Sequence, residues 1–362
     1  MSTNSHLKYK NILITGGVGF VGSNLAIKLK ENYPSLNIVV LDNLKRRGSE
    51  LNLTRLLPKN INFVHGDVRN QEDFSFNQPI DLVIDCSAEP SVLAGITSPE
   101  YSLHTNLLGT INCLEFCRKN NCDLIFLSTS RVYPITELNQ ISFTQKSSRF
   151  EIDTKQSLPG ISPNGVNENF PIGNQRSIYG ATKLASEFLI QEYIHSFKMK
   201  AVINRCSIIT GPWQMGKVDQ GIIPLWLARH FWKNKPLSYI GFGGTGKQVR
   251  DFIDIDDLYR VIDLQINNLS KYNGQTYNIG GGVQNSFSLL ELTKLCQKIT
   301  GNTINISQES QNRPDDVRIY ISDSSKFSQI SHWSRLKTKE QTLEEIYRWI
   351  FDNQNILEKI LN

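Results

Sequence analysis

The segment Lys10 to Lys30 leaves this chain little freedom in what it can build. Lys10-Asn-Ile-Leu-Ile-Thr15 has the length and composition of a buried strand, Gly16-Gly-Val-Gly19-Phe20-Val21-Gly22 follows at once, and a helical run extends from Ser23 to Lys30. Strand, glycine turn and helix in that order open a βαβ unit. Gly16 permits the tight turn, Gly19 lets the backbone approach a pyrophosphate, and Gly22 lets the helix lie close to the strand. The helix N-terminus then presents free N–H groups to phosphate. Ile38-Val-Val-Leu41 ends in Asp42, a suitable distance on for a carboxylate that accepts bonds from an adenosine ribose diol and repels a 2′-phosphate. This favours NAD over NADP, although Lys45, Arg46 and Arg47 follow closely and offer cations to a 2′-phosphate.

Alternation of apolar runs with helical segments continues beyond this unit. Ile61 to Val64 leads into Asp67-Val68, Asp81 to Ile84 into Asp85-Cys-Ser-Ala88, Cys122 to Leu127 into Thr129, and Ala201 to Arg205 into Cys206-Ser207. Such a rhythm predicts parallel strands with right-handed crossovers and a cleft at their carboxyl ends. The fold class is therefore α/β: a Rossmann-type doubly wound parallel sheet with a smaller C-terminal α/β substrate domain. Residues 1–206 with 249–281 are assigned to the cofactor domain, and 207–248 with 282–362 to the substrate domain. Amphipathic helices are predicted at about 288–300 and 341–361 in the latter. Between Tyr133 and Tyr179 the pattern fails, and that stretch reads either as a substrate-side excursion or as disorder.

Tyr179 and Lys183 stand four residues apart, on one face of a predicted helix. A tyrosine of ordinary pKa, about 10, is about one part in a thousand ionised at pH 7, so service as a base requires a shift of roughly three units. A lysine and a cationic cofactor can supply it. The spacing alone also fits an ordinary solvated helix, and the glycine turn is what gives it chemical meaning. The formal charge of +5 on 362 residues forms no basic stripe, so nucleic acid is not implied. There is no apolar run long enough to span a membrane and no secretory leader, which makes cytoplasm the default compartment. The six cysteines lack zinc-site spacing and read as reduced, packed thiols; no metal is expected.

The glycine turn, Thr129, Tyr179 with Lys183, and Arg313-Pro-Asp-Asp316 together resemble the extended short-chain dehydrogenase/reductase family, which includes NAD-dependent epimerases and dehydratases. Within it, Asp42-Asn-Leu-Lys-Arg-Arg-Gly48, Phe63 to Arg69, Asp219-Gln-Gly221, Gly246 to Asp251, Asn278 to Gly281 and Asn285 to Leu292 are similar to CDP-paratose 2-epimerases (CDP-tyvelose epimerases) more than to UDP-glucose 4-epimerases. The resemblance implies an isomerase that oxidises a nucleotide sugar to a keto sugar, turns it and reduces it again on bound NAD. It implies Tyr179 as base, Thr129 as partner of the reacting oxygen, and Lys183 as ligand of the nicotinamide ribose. Asn43, Arg46 and Gly48 are implied around the adenosine ribose, Asp67 and Val68 at the adenine, and Ala88, Asn106, Cys206 and Ser207 near the nicotinamide. Arg250 and Arg313 are implied on the substrate diphosphate, with Asp219, Gln220 and Gly221 near the nucleotide. A homodimer or homotetramer is implied too, to which an apolar face of Leu103 to Lys119 could contribute.

Departures from the family pattern carry information. Asp85-Cys-Ser-Ala-Glu89 replaces a commoner His-x-Ala-Gly, which puts a carboxylate, Glu89, where it could bond a sugar hydroxyl or remain a loop acid. Pro134 replaces a glycine. Ser130-Arg131 stands where 4,6-dehydratases need an acid to eliminate water. A UDP-sugar 4-epimerase and a non-catalytic NAD-binding scaffold are the rival readings.

Overall fold

In the computed structural model, which describes residues 7–216, 220–233 and 235–361, the apolar runs become seven short strands. They are β1 (Asn11–Thr15), β2 (Asn37–Asp42), β3 (Asn62–His65), β4 (Leu82–Asp85), β5 (Asp123–Thr129), β6 (Ala201–Cys206) and β7 (Thr276–Ile279). All pair in parallel in the order β7-β6-β5-β4-β1-β2-β3. The chain starts at the sheet centre, runs outward to β3, then returns to β4 and builds the other half. That reversal between β1 and β4 opens a cleft beyond the carboxyl ends. Register brings Thr15 level with both Leu41 and Asp85, and Thr129 level with Cys206.

Side-chain alternation explains why these strands are apolar throughout. Ile12 and Ile14 enter the core on one face of the sheet, while Leu13 enters the core on the other. Each fully buried aliphatic side chain contributes roughly 1.5–3 kcal/mol. Helices α1 (Phe20–Asn32) and α4 (Ile255–Asn267) supply the first core with Leu25, Leu29, Leu258 and Ile262; α2 (Gly109–Asn120) and α3 (Ile178–Phe197) supply the second with Cys113, Leu114, Cys117 and Ile190. Ahead of α2 the chain makes a π-helical turn, His104–Leu108, so the stretch from Leu103 is not one regular helix. Leu103 and Leu108 remain exposed.

A second body contains a smaller sheet of Ile208–Thr210, Val249–Asp254, Ser286–Ser288 and Ile319–Tyr320. Its core packs Ile223, Trp226 and Leu227 against Leu292, Leu343, Ile346 and Trp349. Val249–Asp254 serves both bodies: Phe252 packs with Phe287, and Ile253 with the core of the large sheet. The helix predicted from 288 starts at Leu289, with Ser288 and Glu291 forming a reciprocal capping box. The helix predicted over 341–361 is two helices, Lys339–Asp352 and Gln354–Leu361. Asn353 separates them, its side-chain amide donating to the Trp349 carbonyl at 2.9 Å in competition with the backbone.

The stretch between Tyr133 and Tyr179 is ordered. It holds a short helix, Ile135–Asn139, and two small hairpins, Phe143–Gln145 with Phe150–Ile152 and Ile161–Ser162 with Gly165–Val166. Tyr133, Leu138, Val166 and Phe170 form a core with Leu184 of α3 and Tyr320 of the second body. Strands of two or three residues carry too little periodicity to be read from sequence. Among the described residues, no helix is long and apolar enough to cross a membrane.

Candidate active site

The glycine turn has the geometry its residues require. Gly16 adopts φ 60°, and a Cβ on Gly22 would stand 2.4 Å from the Gly16 carbonyl oxygen and 2.6 Å from Gly17 Cα. Helix α1 therefore rests directly on the turn. Gly19 is its N-cap, with no side-chain cap and no acid in the first turn, so the N–H groups at Phe20, Val21 and Gly22 have no side-chain acceptor there. This cradle fits a pyrophosphate. Asp42 closes one side: its carboxylate accepts from Val18 N at 3.1 Å and Leu44 N at 2.8 Å, and burial raises its pKa against those bonds.

Around Asp42 the three neighbouring cations have other work. Lys45 lies 3.6 Å over the Tyr101 ring, Arg47 donates to the Lys359 carbonyl, and Arg46 donates to Gln220 and to the Met215 carbonyl. These partners hold the cationic side chains in place but leave their charge intact. Gly48 is buried at φ 90° against Met215. Asn43 donates to Asp67 at 2.8 Å, and Arg69 grips the same carboxylate; burial works against ionisation, but these bonds hold Asp67 down at about 2. Val68 is buried beneath.

Beyond the end of β4, Asn106 comes from the π-helical turn and ties two elements together. Its side chain accepts from Glu89 N at 2.8 Å and donates to the Glu89 carbonyl and to Thr182 of α3, both at 3.2 Å. The segment with Ala88 and Glu89 is thereby fixed against α3. Glu89 turns its carboxylate to Ser91 N and to Gln220, so Gln220 links Glu89 to Arg46 across the cleft. Gly221, at φ 69°, then starts the helix Ile222–Trp232. Asp219 lies outside the described residues.

Thr129 ends β5 and Tyr179 lies in the first turn of α3, whose N-cap Ser177 accepts from Gly180 N at 3.2 Å. A Cβ on Gly180 would fall 2.0 Å from the Arg131 carbonyl oxygen, so only glycine lets α3 reach the end of β5. Tyr179 is buried, and burial pushes its phenol up to about 12, against a hydrogen bond with Thr129 and the positive charge of Arg131. Lys183 is buried too, with its ammonium 4.0 Å from the centre of the Phe126 ring. Burial lowers its pKa, and Asp85 is the leading group that opposes this. Asp85 itself accepts from Thr15, Ser87 and Thr110.

Cys206, level with Thr129, is buried and pushed up to about 12, so it stays a thiol. Ser207 is buried, and burial raises the neighbouring Asp251 carboxyl to about 6 against hydrogen bonds that include one with the Ser207 hydroxyl. An ammonium held over a ring and an uncapped helix lie along one cleft; their donor character fits a dinucleotide. Arg250 lines a cavity with Ser130, Arg131, Tyr133, Ser177 and Tyr320, and pairs with Asp316 at 2.7 Å. Arg313 is half-buried in the loop that carries Asp316, whose N–H donates to the Arg313 carbonyl.

Sequence reasoning missed the support beneath these groups. Glu187 of α3 takes a two-pronged grip from Arg205 of β6 and a hydrogen bond from Ser128 of β5. Arg205 also donates to Tyr133, which donates to Asn278 of β7. This network locks the helix carrying Tyr179 to the strand carrying Thr129.

A sequence profile described as the NAD dependent epimerase/dehydratase family matches residues 12–280. The chain belongs to that family. CDP-paratose 2-epimerase of Salmonella typhi is 32% identical over 353 residues, covering 93% of this chain and 98% of the relative. Among solved structures, UDP-glucose 4-epimerase of Thermotoga maritima superposes with TM-score 0.75 at 25% identity, covering 95% of this chain and 99% of that one. The dTDP-glucose 4,6-dehydratase of Streptomyces venezuelae, solved with NAD bound, gives 0.78 at 24%, covering 97% and 99%. The large sheet is thus the Rossmann sheet of an NAD-dependent family of epimerases and dehydratases.

Proposed function

We propose that this protein inverts a carbinol centre of a nucleotide sugar by transient oxidation, and that the centre is C2 of a CDP-linked sugar, CDP-paratose giving CDP-tyvelose. The observation that carries epimerisation over dehydration is the cavity wall beside Thr129, made by Ser130 and Arg131. Elimination of water needs a proton donor at that wall. A guanidinium does not give up its proton at neutral pH. The CDP-sugar assignment is supported by 32% identity to a CDP-paratose 2-epimerase over 93% of this chain, against 28% and 27% for a 4-epimerase and a 4,6-dehydratase that match as much of it.

When bound, NAD would supply the acceptor for the substrate's hydride and the source of its return. The protein residues do the remainder. Thr129 bonds the reacting oxygen and orients it toward Tyr179, whose phenolate takes the hydroxyl proton and returns it to the same oxygen when the turned ketone is reduced from its opposite face. Lys183 binds the nicotinamide ribose, and Asp85 sustains its positive charge in a buried setting. Asn106 fixes the Glu89 segment, while Arg250 and Arg313 take the substrate diphosphate through fixed guanidinium forks. The keto sugar then turns within the cavity while its diphosphate stays anchored.

A UDP-sugar 4-epimerase is the second reading, favoured by the superposition on the Thermotoga maritima enzyme. Incubation of purified protein with CDP-paratose and, separately, UDP-glucose, followed by NMR of the sugar, decides between them. Inversion at C4 of UDP-glucose with CDP-paratose untouched overturns the CDP-sugar proposal.

A further inference from the structure

Arg131 is the charged group of the cavity that the functional reading leaves without a task. It sits in the short turn after β5, with its backbone N–H donating to Thr129 Oγ1 at 3.2 Å and its backbone carbonyl against Gly180 of α3. The side chain is half-buried and lines the same cavity as Arg250. Arg250 has a carboxylate partner in Asp316. Arg131 has none among the described residues; its guanidinium makes one hydrogen bond, to the Asp315 carbonyl at 3.1 Å. Five N–H donors are available on such a group, so one bond to a carbonyl leaves it capacity for an anion in the cavity it lines. Burial chiefly disfavours the charged form of Arg250, Asp316 opposes this, and the Arg131 charge adds to it, as two cations sharing a small space must. An acceptor-rich anion between them relieves both conditions.

We propose that Arg131 is a substrate-binding residue that holds the β-phosphate of the nucleotide sugar, the phosphate from which the sugar hangs, directly beside Thr129. This rests on the nucleotide-sugar reading above and sharpens it. The β-phosphate is attached through the C1 oxygen, so the carbinol at C2 is its neighbour, whereas the carbinol at C4 lies across the ring. A cation tethered to the backbone two residues from Thr129 sets phosphate and reacting oxygen side by side, which suits oxidation at C2. It also anchors the pivot: with the phosphate fixed by Arg131 and Arg250, the keto sugar turns about its link to that phosphate without leaving the site. Dehydratases require an acid at this wall for a proton; this chain uses the wall for binding.

Isothermal titration of the NAD-loaded protein with nucleoside mono- and diphosphates tests it, using the cytidine, uridine and thymidine pairs in parallel. The base that the unaltered protein prefers judges the CDP assignment separately from the role of Arg131. For the preferred base, the diphosphate binds more tightly than the monophosphate, and Arg131→Gln shrinks that ratio by about tenfold while monophosphate affinity holds, as the loss of a charge-assisted hydrogen bond requires. Arg131→Lys recovers part of the ratio. Three results overturn the proposal: no diphosphate preference in the unaltered protein, a ratio in Arg131→Gln within about twofold of it, or an equal fall for both ligands, which marks Arg131 as a structural tie to Asp315.

Discussion

A base whose phenol sits at about 12 is almost wholly protonated at neutral pH, and that fixes what the cofactor must do to it. At pH 8 such a phenol is ionised in roughly one molecule in ten thousand, and bringing it to half-ionisation requires about four units, or about 5.4 kcal/mol. A unit positive charge about 4 Å away at an effective dielectric of 20 provides about 4 kcal/mol, close to three units. Oxidised nicotinamide carries such a charge and reduced nicotinamide does not. The sign is therefore definite: Tyr179 should titrate about three units lower with NAD bound than with NADH bound, and kcat should rise with pH along the former titration. The assay is the near-ultraviolet absorbance of tyrosinate, taken as the difference between the unaltered protein and Tyr179→Phe in each redox form. That variant should retain NAD and lose turnover by a factor of roughly 10² to 10⁴. Coincident titrations in the two forms, or near-normal turnover in Tyr179→Phe, would refute the reasoning.

Two further substitutions test the scaffold. Gly22→Ala sets a methyl against the backbone of Gly16 and Gly17, which cannot yield, so it should cost about 1–3 kcal/mol and empty the protein of NAD; an unchanged melting temperature with full NAD content contradicts this. Arg205→Met leaves the buried Glu187 carboxylate without its guanidinium and should cost about 3–5 kcal/mol in urea unfolding, most of it recovered by the double variant with Glu187→Leu. Equal stability of the single variant and the unaltered protein removes the network from the account.

Local signals carried the parts of this molecule that depend on short stretches of chain. The turn at Gly16 to Gly22 needs only its own residues and Asp42, and the strands of the large sheet are apolar because both faces are covered. Those features were legible. The lock of Glu187, Arg205, Ser128 and Tyr133 joins elements far apart in sequence, and nothing in the spacing of a charged residue on α3 says that it is buried. Asn106 was placed by resemblance, but its π-helical turn and its grip on the Glu89 segment arise from how α2 and α3 meet. Arg131 stands in the sequence where dehydratases carry an acid, and its place in the cavity depends on the distant loop whose Asp315 carbonyl accepts from its guanidinium. The hairpins between Tyr133 and Tyr179 are unreadable in the sequence because strands of two or three residues span little more than one cycle of the two-residue alternation.

Transient oxidation at C2 with the hydride returned by the same protein is the centre of this account. CDP-paratose carrying deuterium at C2, incubated with the purified protein in ordinary water and followed by NMR, tests it most directly. CDP-tyvelose that keeps the deuterium at C2, with no label lost to solvent and no change at C4, is the predicted result. Loss of the label to water during inversion, or an untouched C2, contradicts it.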